Sequence, residues 1–358
     1  MDERGRVLVT GASGFMAAHI ALRLLERGYV VRGTVRSLHK KDVELLRALP
    51  GADHRLELFE ADLTRPGSFD EAAAGCLGVM HAASPYALDV KDPQKDLVDP
   101  AVQGTREVLV AAVRSGTVRR VVLTSSMAAI TDEPEADHVL TERDWNVKSS
   151  LTRNPYYYSK VLAERAAWEF VDREQPGFDL VVINPFMVIG PSLNSGLNLS
   201  NELFVRLLEG AFPAIISMAW GFVDVRDVAE AHIRALEIPT AHGRYICAGE
   251  VVSMRSLVRL LLEHGYTNFK LPSFPLDSAV GTWVARLASY QQSKGTGQYL
   301  RTHLGRIPRY DTTKVRTELG VSFRPASETI LDTLADLERW GHVRARSTGA
   351  APQPSPSR

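Results

Sequence analysis

Cysteine is scarce in this chain: Cys76 and Cys247 are the only 2 in 358 residues. Thiols so far apart form neither a disulfide framework nor a metal cluster, and their expected role is as small core residues. Net charge is missing too, because 42 lysines and arginines balance 42 aspartates and glutamates. With no excess of either sign, neither nucleic acid nor a membrane surface is an expected partner. No uninterrupted apolar run is long enough to cross a bilayer, no apolar signal segment precedes the first strand and no internal repeat is visible. The expectation is a cytoplasmic enzyme or binding protein, without a metal, acting as a monomer or homodimer. What remains is an ordinary globular composition, 45% hydrophobic and 23% charged, long enough for one large domain and a smaller one.

The most informative stretch is RVLVTGASGFMAAH, residues 6–19. An apolar run ends at Thr10 and Gly11, and Gly14 precedes an amphipathic segment over 15–26. This reads as strand, tight turn and helix. Small residues at 11, 14 and 17 fit a dinucleotide-binding turn, where backbone approaches a pyrophosphate and the helix N-terminus supplies unpaired N–H groups. Gly11 permits the sharp turn, Gly14 the close phosphate approach, and Ala17 lets helix and strand lie together.

Strand-like and helix-like stretches then alternate: strands over 29–35, 55–60, 78–83, 120–125 and 179–184, and helices over 41–49, 68–74, 99–115 and 155–174. The continuous apolar cores at 7–9, 121–123 and 180–183 suit strands buried on both faces, so the fold class is α/β, a Rossmann-type doubly wound parallel sheet. Its ligands belong at the carboxyl ends of the strands. Residues 1–185 form the nucleotide-binding domain, with returning segments over about 222–248 that include a strand at 243–247. Residues 186–341 are mainly a smaller, discontinuous C-terminal substrate lobe, with helices over 224–236 and 254–264, and about 342–358 is a disordered tail.

The second strand leads into VRGTVRS, residues 31–37, followed by Lys40 and Lys41, and no carboxylate comes before Asp42. A carboxylate there would hold a ribose 2′-hydroxyl, whereas a 2′-phosphate needs positive charge. Arg32 and Arg36 are candidate donors, with Lys40 or Lys41 as a further point charge, so NADP(H) is the expected cofactor. Downstream, Thr124, Ser125 and Ser126 end a strand, and YYYSK opens a helix at 156–160. Only Tyr156 stands four residues before Lys160, on the same helical face. An ammonium beside a phenol lowers the tyrosine pKa from about 10 toward working pH, as a general acid for a developing alkoxide requires. A strand-end serine then steers the carbonyl oxygen. The apolar residues Pro85, Tyr86, Met127, Phe186, Met187, Trp220 and Phe222 are candidate pocket lining for an aryl or alkyl carbonyl compound.

Together the motifs VTGASGFMAAH (9–19), VRGTVRS (31–37), Asp62-Leu63, HAASP (81–85), VLTSSMAA (122–129), YYYSK (156–160), NPFMVIGP (184–191) and FVDVRDVAEAH (222–232) resemble the extended short-chain dehydrogenase/reductases. Within that epimerase/dehydratase superfamily the chain is similar to the dihydroflavonol reductase-like group, with its cinnamoyl-CoA, aldehyde and ketone reductases. The resemblance implies that Ser126 is the catalytic serine, ahead of Ser125, that Tyr156 donates the proton, and that Lys160 binds the nicotinamide ribose. It assigns the 2′-phosphate to Arg32, Arg36 and Lys40, the adenine to Asp62 and Leu63, and further cofactor contacts to Ser13, Phe15, Met16, Ala83, Ser84, Thr124, Pro185 and Val188. It also implies that Gln103 replaces the asparagine of the usual proton relay.

The implied function is NADPH-dependent reduction of an aldehyde or ketone to an alcohol. Alternatives of the same fold are a nucleotide-sugar epimerase or dehydratase and a hydroxysteroid dehydrogenase, and of another class a non-catalytic NADP sensor.

Overall fold

The computed structural model describes residues 4–39, 41–85, 87 and 89–345. In chain order the strands of its two main sheets are β1 (Arg6–Thr10), β2 (Val30–Val35), β3 (Leu56–Glu60), β4 (Cys76–His81), β5 (Arg120–Thr124), β6 (Asp179–Pro185), β7 (Met187–Ile189), β8 (Ala219–Asp224), β9 (Gly243–Cys247) and β10 (Val251–Ser253). The helices used below are α1 (Phe15–Glu26), α2 (Lys41–Arg47), α3 (Asp99–Ser115), α4 (Pro155–Glu174), α5 (Leu199–Leu208), α6 (Val225–Glu237), α7 (Met254–Glu263), α8 (Ala279–Ala288), α9 (Lys294–His303), α10 (Thr313–Glu318) and α11 (Ala326–Arg339).

Seven strands pair in parallel in the order β9-β6-β5-β4-β1-β2-β3. Val7, Leu8 and Val9, like Val121, Val122, Val181 and Val182, are wholly buried, because helices cover both faces of the sheet. The chain winds outward from β1 to β3 and then restarts beside β1 with β4. This reversal opens a crevice at the carboxyl ends of β1 and β4.

The second lobe is built on a three-stranded sheet, β7-β8-β10, with α5, α7 and α11 around a core that includes Phe204, Leu257, Leu261, Ile330 and Leu334. Several helices there escape a reading of periodicity for a physical reason. Gly281 in α8 and Gly297 in α9 resemble loop punctuation, yet a Cβ on either would come within 2.5 Å of a backbone oxygen, of Leu276 and Ser289 respectively. They are glycines of close packing, not of turns.

The expected domain boundaries need three corrections. Strand β8 pairs within the small sheet, whereas α6 packs in the large domain's core and β9 pairs with β6 in its sheet. A second return was not anticipated: Val315, Leu319 and Val321 around α10 join the large domain's core. The tail does not begin at 342, since Val343 is buried in the second core and His342 bonds the Ser195 carbonyl at 3.0 Å. Residues 346–358 of that expected tail lie outside the described residues.

Trp220 and Phe222, expected in a substrate pocket, sit in the same core with their rings stacked, 6.1 Å between centroids. The Trp220 indole N–H donates to the Tyr299 hydroxyl at 3.1 Å. Alternation along β8 turns both rings inward, away from the cleft. Phe222→Ala is therefore expected to destabilise the protein by about 3–5 kcal/mol in urea unfolding, with the KM for carbonyl substrates unchanged in the folded fraction.

Candidate active site

The cleft at the switch point is held open by short contacts between strand ends. The Thr10 hydroxyl lies 2.8 Å from His81 Nδ1 and accepts the Ala82 and Ala83 N–H groups at 3.1 and 3.0 Å. Burial pushes the His81 pKa down to about 3, with the Lys160 charge acting the same way, so the imidazole is neutral. Gly11 turns through φ +64° with its N–H donating to Thr34 Oγ1 at 3.2 Å, and a Cβ there would meet Ala83 at 3.1 Å. Gly14 caps α1 without any side-chain bond, so the first N–H groups of the helix stay available at the cleft.

These elements line a cleft of about 780 Å³. Its walls include most of the expected cofactor residues: Gly11, Ser13, Gly14, Phe15 and Met16 from the turn, Arg36 at the end of β2, and Asp62 and Leu63 after β3. Ala83, Ser84 and Pro85 follow β4, Thr124 ends β5 with Ser125 and Ser126 just after it, Tyr156 and Lys160 come from α4, Pro185 and Phe186 from the end of β6, and Val188 from β7. Two bonds from Thr64 to the Asp62 carboxylate, 2.6 Å from Oγ1 and 2.8 Å from N, hold its pKa below the usual range.

Other expected residues lie elsewhere. The Arg32 guanidinium points away from the cleft, donating from Nε to Glu57 at 2.8 Å and from Nη1 to the Glu71 and Ala74 carbonyls, with its plane 5.0 Å from the Phe59 ring. Its Nε and Nη1 donors are taken up by structure and it is absent from the cleft lining, where Arg36 stands just after β2. Met127 is buried with Ile130, Leu140 and Ile246, and Gln103 is exposed on α3, outside the cleft lining. Lys40 and Tyr86 lie outside the described residues. Sequence reasoning missed Thr34, Asn198 and Ser200 in the lining. Asn198 carried a legible signal, being the N-cap of α5 that accepts from Ser200 N and Asn201 N at 3.0 Å.

The two strand-end serines are separated by what lies behind them. Ser125 donates to Glu164 Oε2 at 2.5 Å, and the fully buried Glu164 also takes Arg244 Nε at 2.6 Å and Asn184 Nδ2 at 2.9 Å. Ser126 instead caps a short turn, its Oγ accepting from Ala128 N at 3.1 Å, which leaves its O–H to donate into the cleft. The Thr124 hydroxyl lies 2.7 Å from His232 Nε2, while His232 Nδ1 donates to the Val228 carbonyl at 2.8 Å. Burial drops the His232 pKa to about 4, so this ring too is neutral. Of the three hydroxyls, that of Ser126 suits a carbonyl oxygen.

On α4 the Lys160 ammonium lies 5.9 Å from the Tyr156 ring centroid, one turn away. Burial lowers the Lys160 pKa to about 8, with Glu164 one turn further on pulling the other way. The folded state thus disfavours the charged ammonium, and between about pH 8 and 10.4 the unfolded chain binds more protons. Stability from this group accordingly rises with pH across that window. Lys160→Met is expected to be more stable than the parent at pH 7, and the gap between their urea midpoints is expected to narrow as pH rises past 8. A gap constant with pH would contradict the assignment.

Comparison with known proteins agrees with this geometry. Residues 7–248 match the family model described as the NAD dependent epimerase/dehydratase family. The chain is 37% identical over 342 residues to cinnamoyl-CoA reductase 1 of Petunia hybrida, covering 94% of this chain and 93% of that protein. It is 37% identical over 281 residues to dihydroflavonol 4-reductase of Arabidopsis thaliana, covering 76% and 72%. The crystal structure of yeast methylglyoxal/isovaleraldehyde reductase Gre2 complexed with NADPH superposes with a TM-score of 0.78 at 31% identity, covering 94% of this chain and all of that one. With the switch-point cleft, the uncapped glycine turn and the Ser126, Tyr156 and Lys160 set, these matches make the chain a member of the NAD dependent epimerase/dehydratase family, in its dihydroflavonol reductase-like group of reductases.

Proposed function

We propose that this chain reduces aldehydes or ketones of aryl or alkyl type to alcohols, using NADPH. The observation that carries the reading is convergence: Ser126, Tyr156 and Lys160 line the same cleft as the glycine turn. The residues present fit the cofactor. Gly11 and Gly14 leave bare backbone where a Cβ would be a tight fit at 3.1 Å, and the N-terminus of α1 suits a pyrophosphate. Arg36, exposed at the end of β2, suits a 2′-phosphate, with Asp62 and Leu63 for the adenine end. Several relatives are reductases of carbonyl or flavonoid substrates, and the Gre2 structure is an NADPH complex.

Bound there, NADPH supplies the hydride. The protein's own residues manage the oxygen and the proton. Ser126 donates a hydrogen bond to the carbonyl oxygen, polarising it and fixing it near Tyr156. The Tyr156 hydroxyl gives up its proton to the alkoxide as it forms. The Lys160 ammonium stabilises the tyrosinate left behind and holds the nicotinamide ribose. Glu164, neutralised by Arg244 and the Ser125 and Asn184 donors, keeps that ammonium's surroundings fixed. Pro85, Pro185, Phe186 and Val188 exclude water from the carbonyl and favour an apolar substituent.

The test is loss of nicotinamide absorbance with a panel of aromatic aldehydes, aliphatic ketones, α-dicarbonyls and flavanonols, with NADH in parallel. Carbonyl-dependent turnover that prefers NADPH is expected; tight NADPH binding without turnover on any carbonyl would replace the reductase with a sensor. Tyr156→Phe is expected to keep NADPH affinity and lose roughly 10²–10⁴-fold in kcat. Arg36→Ala is expected to raise the KM for NADPH while leaving that for NADH nearly unchanged. Arg32→Ala, measured alongside, is expected to keep the cofactor preference and lower only the unfolding temperature.

A further inference from the structure

Helix α8 is packed the wrong way round for a globular domain. Among its described residues only Gly281 is buried, with the partly buried Ala285 against the second core and Ser289 just beyond its end wholly covered. The large apolar side chains face outward: Val280 is 74% exposed, Trp283 63%, Val284 42% and Leu287 50%. Positions 280, 283, 284 and 287 follow the i, i+3, i+4, i+7 spacing of a single stripe, so this is one face. Tyr290, 71% exposed, continues it with its ring 4.4 Å from the Arg301 guanidinium carbon, and Phe274 and Ile307 are exposed on the flanking chain. Soluble proteins rarely leave such a contiguous apolar stripe bare.

The charge around the stripe is segregated. From Ser278 to Tyr310 the chain carries Arg286, Lys294, Arg301, Arg306 and Arg309 and no carboxylate, although the whole chain is neutral; of the neighbouring acids, Asp277 is paired with Arg255 and Asp89 is held by Ser293 and the Gly295 N–H. Arg306 is paired with Glu133, whereas Arg286, Lys294 and Arg309 are exposed. A stripe of Val, Leu, Trp and Tyr flanked by cations is what a helix lying in a bilayer interface presents: aromatic rings at the headgroup level and basic side chains toward anionic lipid. A second copy of the chain fits less well, since a two-fold contact would set two basic rims against each other. Nor does α8 span a bilayer: its 10 residues measure about 15 Å, and none of the described helices is long and apolar enough to cross one.

We propose that α8 and Tyr290 form a docking face for an anionic lipid surface, on which the protein sits peripherally.

The experiment sediments the full chain with vesicles of phosphatidylcholine alone and of phosphatidylcholine containing about one third phosphatidylserine. Binding to the anionic vesicles is expected, weakened by added salt and weaker still on the neutral ones. The double variant Trp283→Ser with Leu287→Ser is expected to lose at least about ten-fold in vesicle binding, while its unfolding temperature and its carbonyl turnover match the parent's. Exposed positions are substituted, so folding is not at stake. Equal sedimentation of parent and variant, or none with either vesicle, would overturn the proposal. So would a parent that light scattering finds dimeric and the variant monomeric, which would give the stripe to a second copy, or retention on an acidic protein partner with no vesicle binding.

Discussion

The cleft depends on how closely two parallel strands end beside each other. Where the sheet order reverses, β1 and β4 are clamped by one hydroxyl, that of Thr10, which holds the Ala82 and Ala83 N–H groups and touches a neutral buried histidine. Gly11 turns through a positive φ and passes so near Ala83 that a Cβ would stand 3.1 Å away, and α1 starts with its donors unspent. The anion-binding end of the site is therefore made of backbone. Only a side chain's absence is required of the sequence there.

The chemical end is made differently, from buried charge. Lys160 is covered and wants to lose its proton, and Glu164 beneath it is covered as well. Burying such groups is costly unless each is paired. Arg244 from β9, Asn184 from β6 and Ser125 from β5 supply the partners, so three separate strands converge on one carboxylate. That convergence sets the two serines of the lining apart: the Ser125 O–H is spent on Glu164, whereas Ser126 Oγ only accepts, from Ala128 N. No spacing rule in the chain distinguishes two adjacent serines, whereas a buried carboxylate does.

Local signals located much of this site. The glycine turn, the helix opening at Tyr156 and the apolar cores of the central strands are properties of a few neighbouring residues, and each stands in the structure where its pattern puts it. Where the reading failed, the cause was tertiary. Arg32 and Arg36 are equivalent as letters and share a strand parity, but Glu57, Phe59 and the Glu71 and Ala74 carbonyls take Arg32 into a structural clasp. Trp220, Phe222 and Met127 are aromatic or flexible apolar residues near motif ends, and such residues serve a core as readily as a pocket. Net charge misleads in a similar way: an average of zero conceals a stretch of 33 residues, from 278 to 310, with no acid in it.

By itself, then, the sequence determined the class of fold, the turn that opens the cleft and the tyrosine and lysine that face each other, because strand burial, glycine geometry and helical spacing are all short-range constraints. The tertiary structure alone decided which arginine stays at the cleft, which serine keeps a free hydroxyl direction, how α10 and the residues after α11 are absorbed into the two cores, and that α8 turns its large side chains outward. Each of those outcomes depends on partners brought together from distant parts of the chain. A competition among such partners for one donor or one buried surface leaves no local trace.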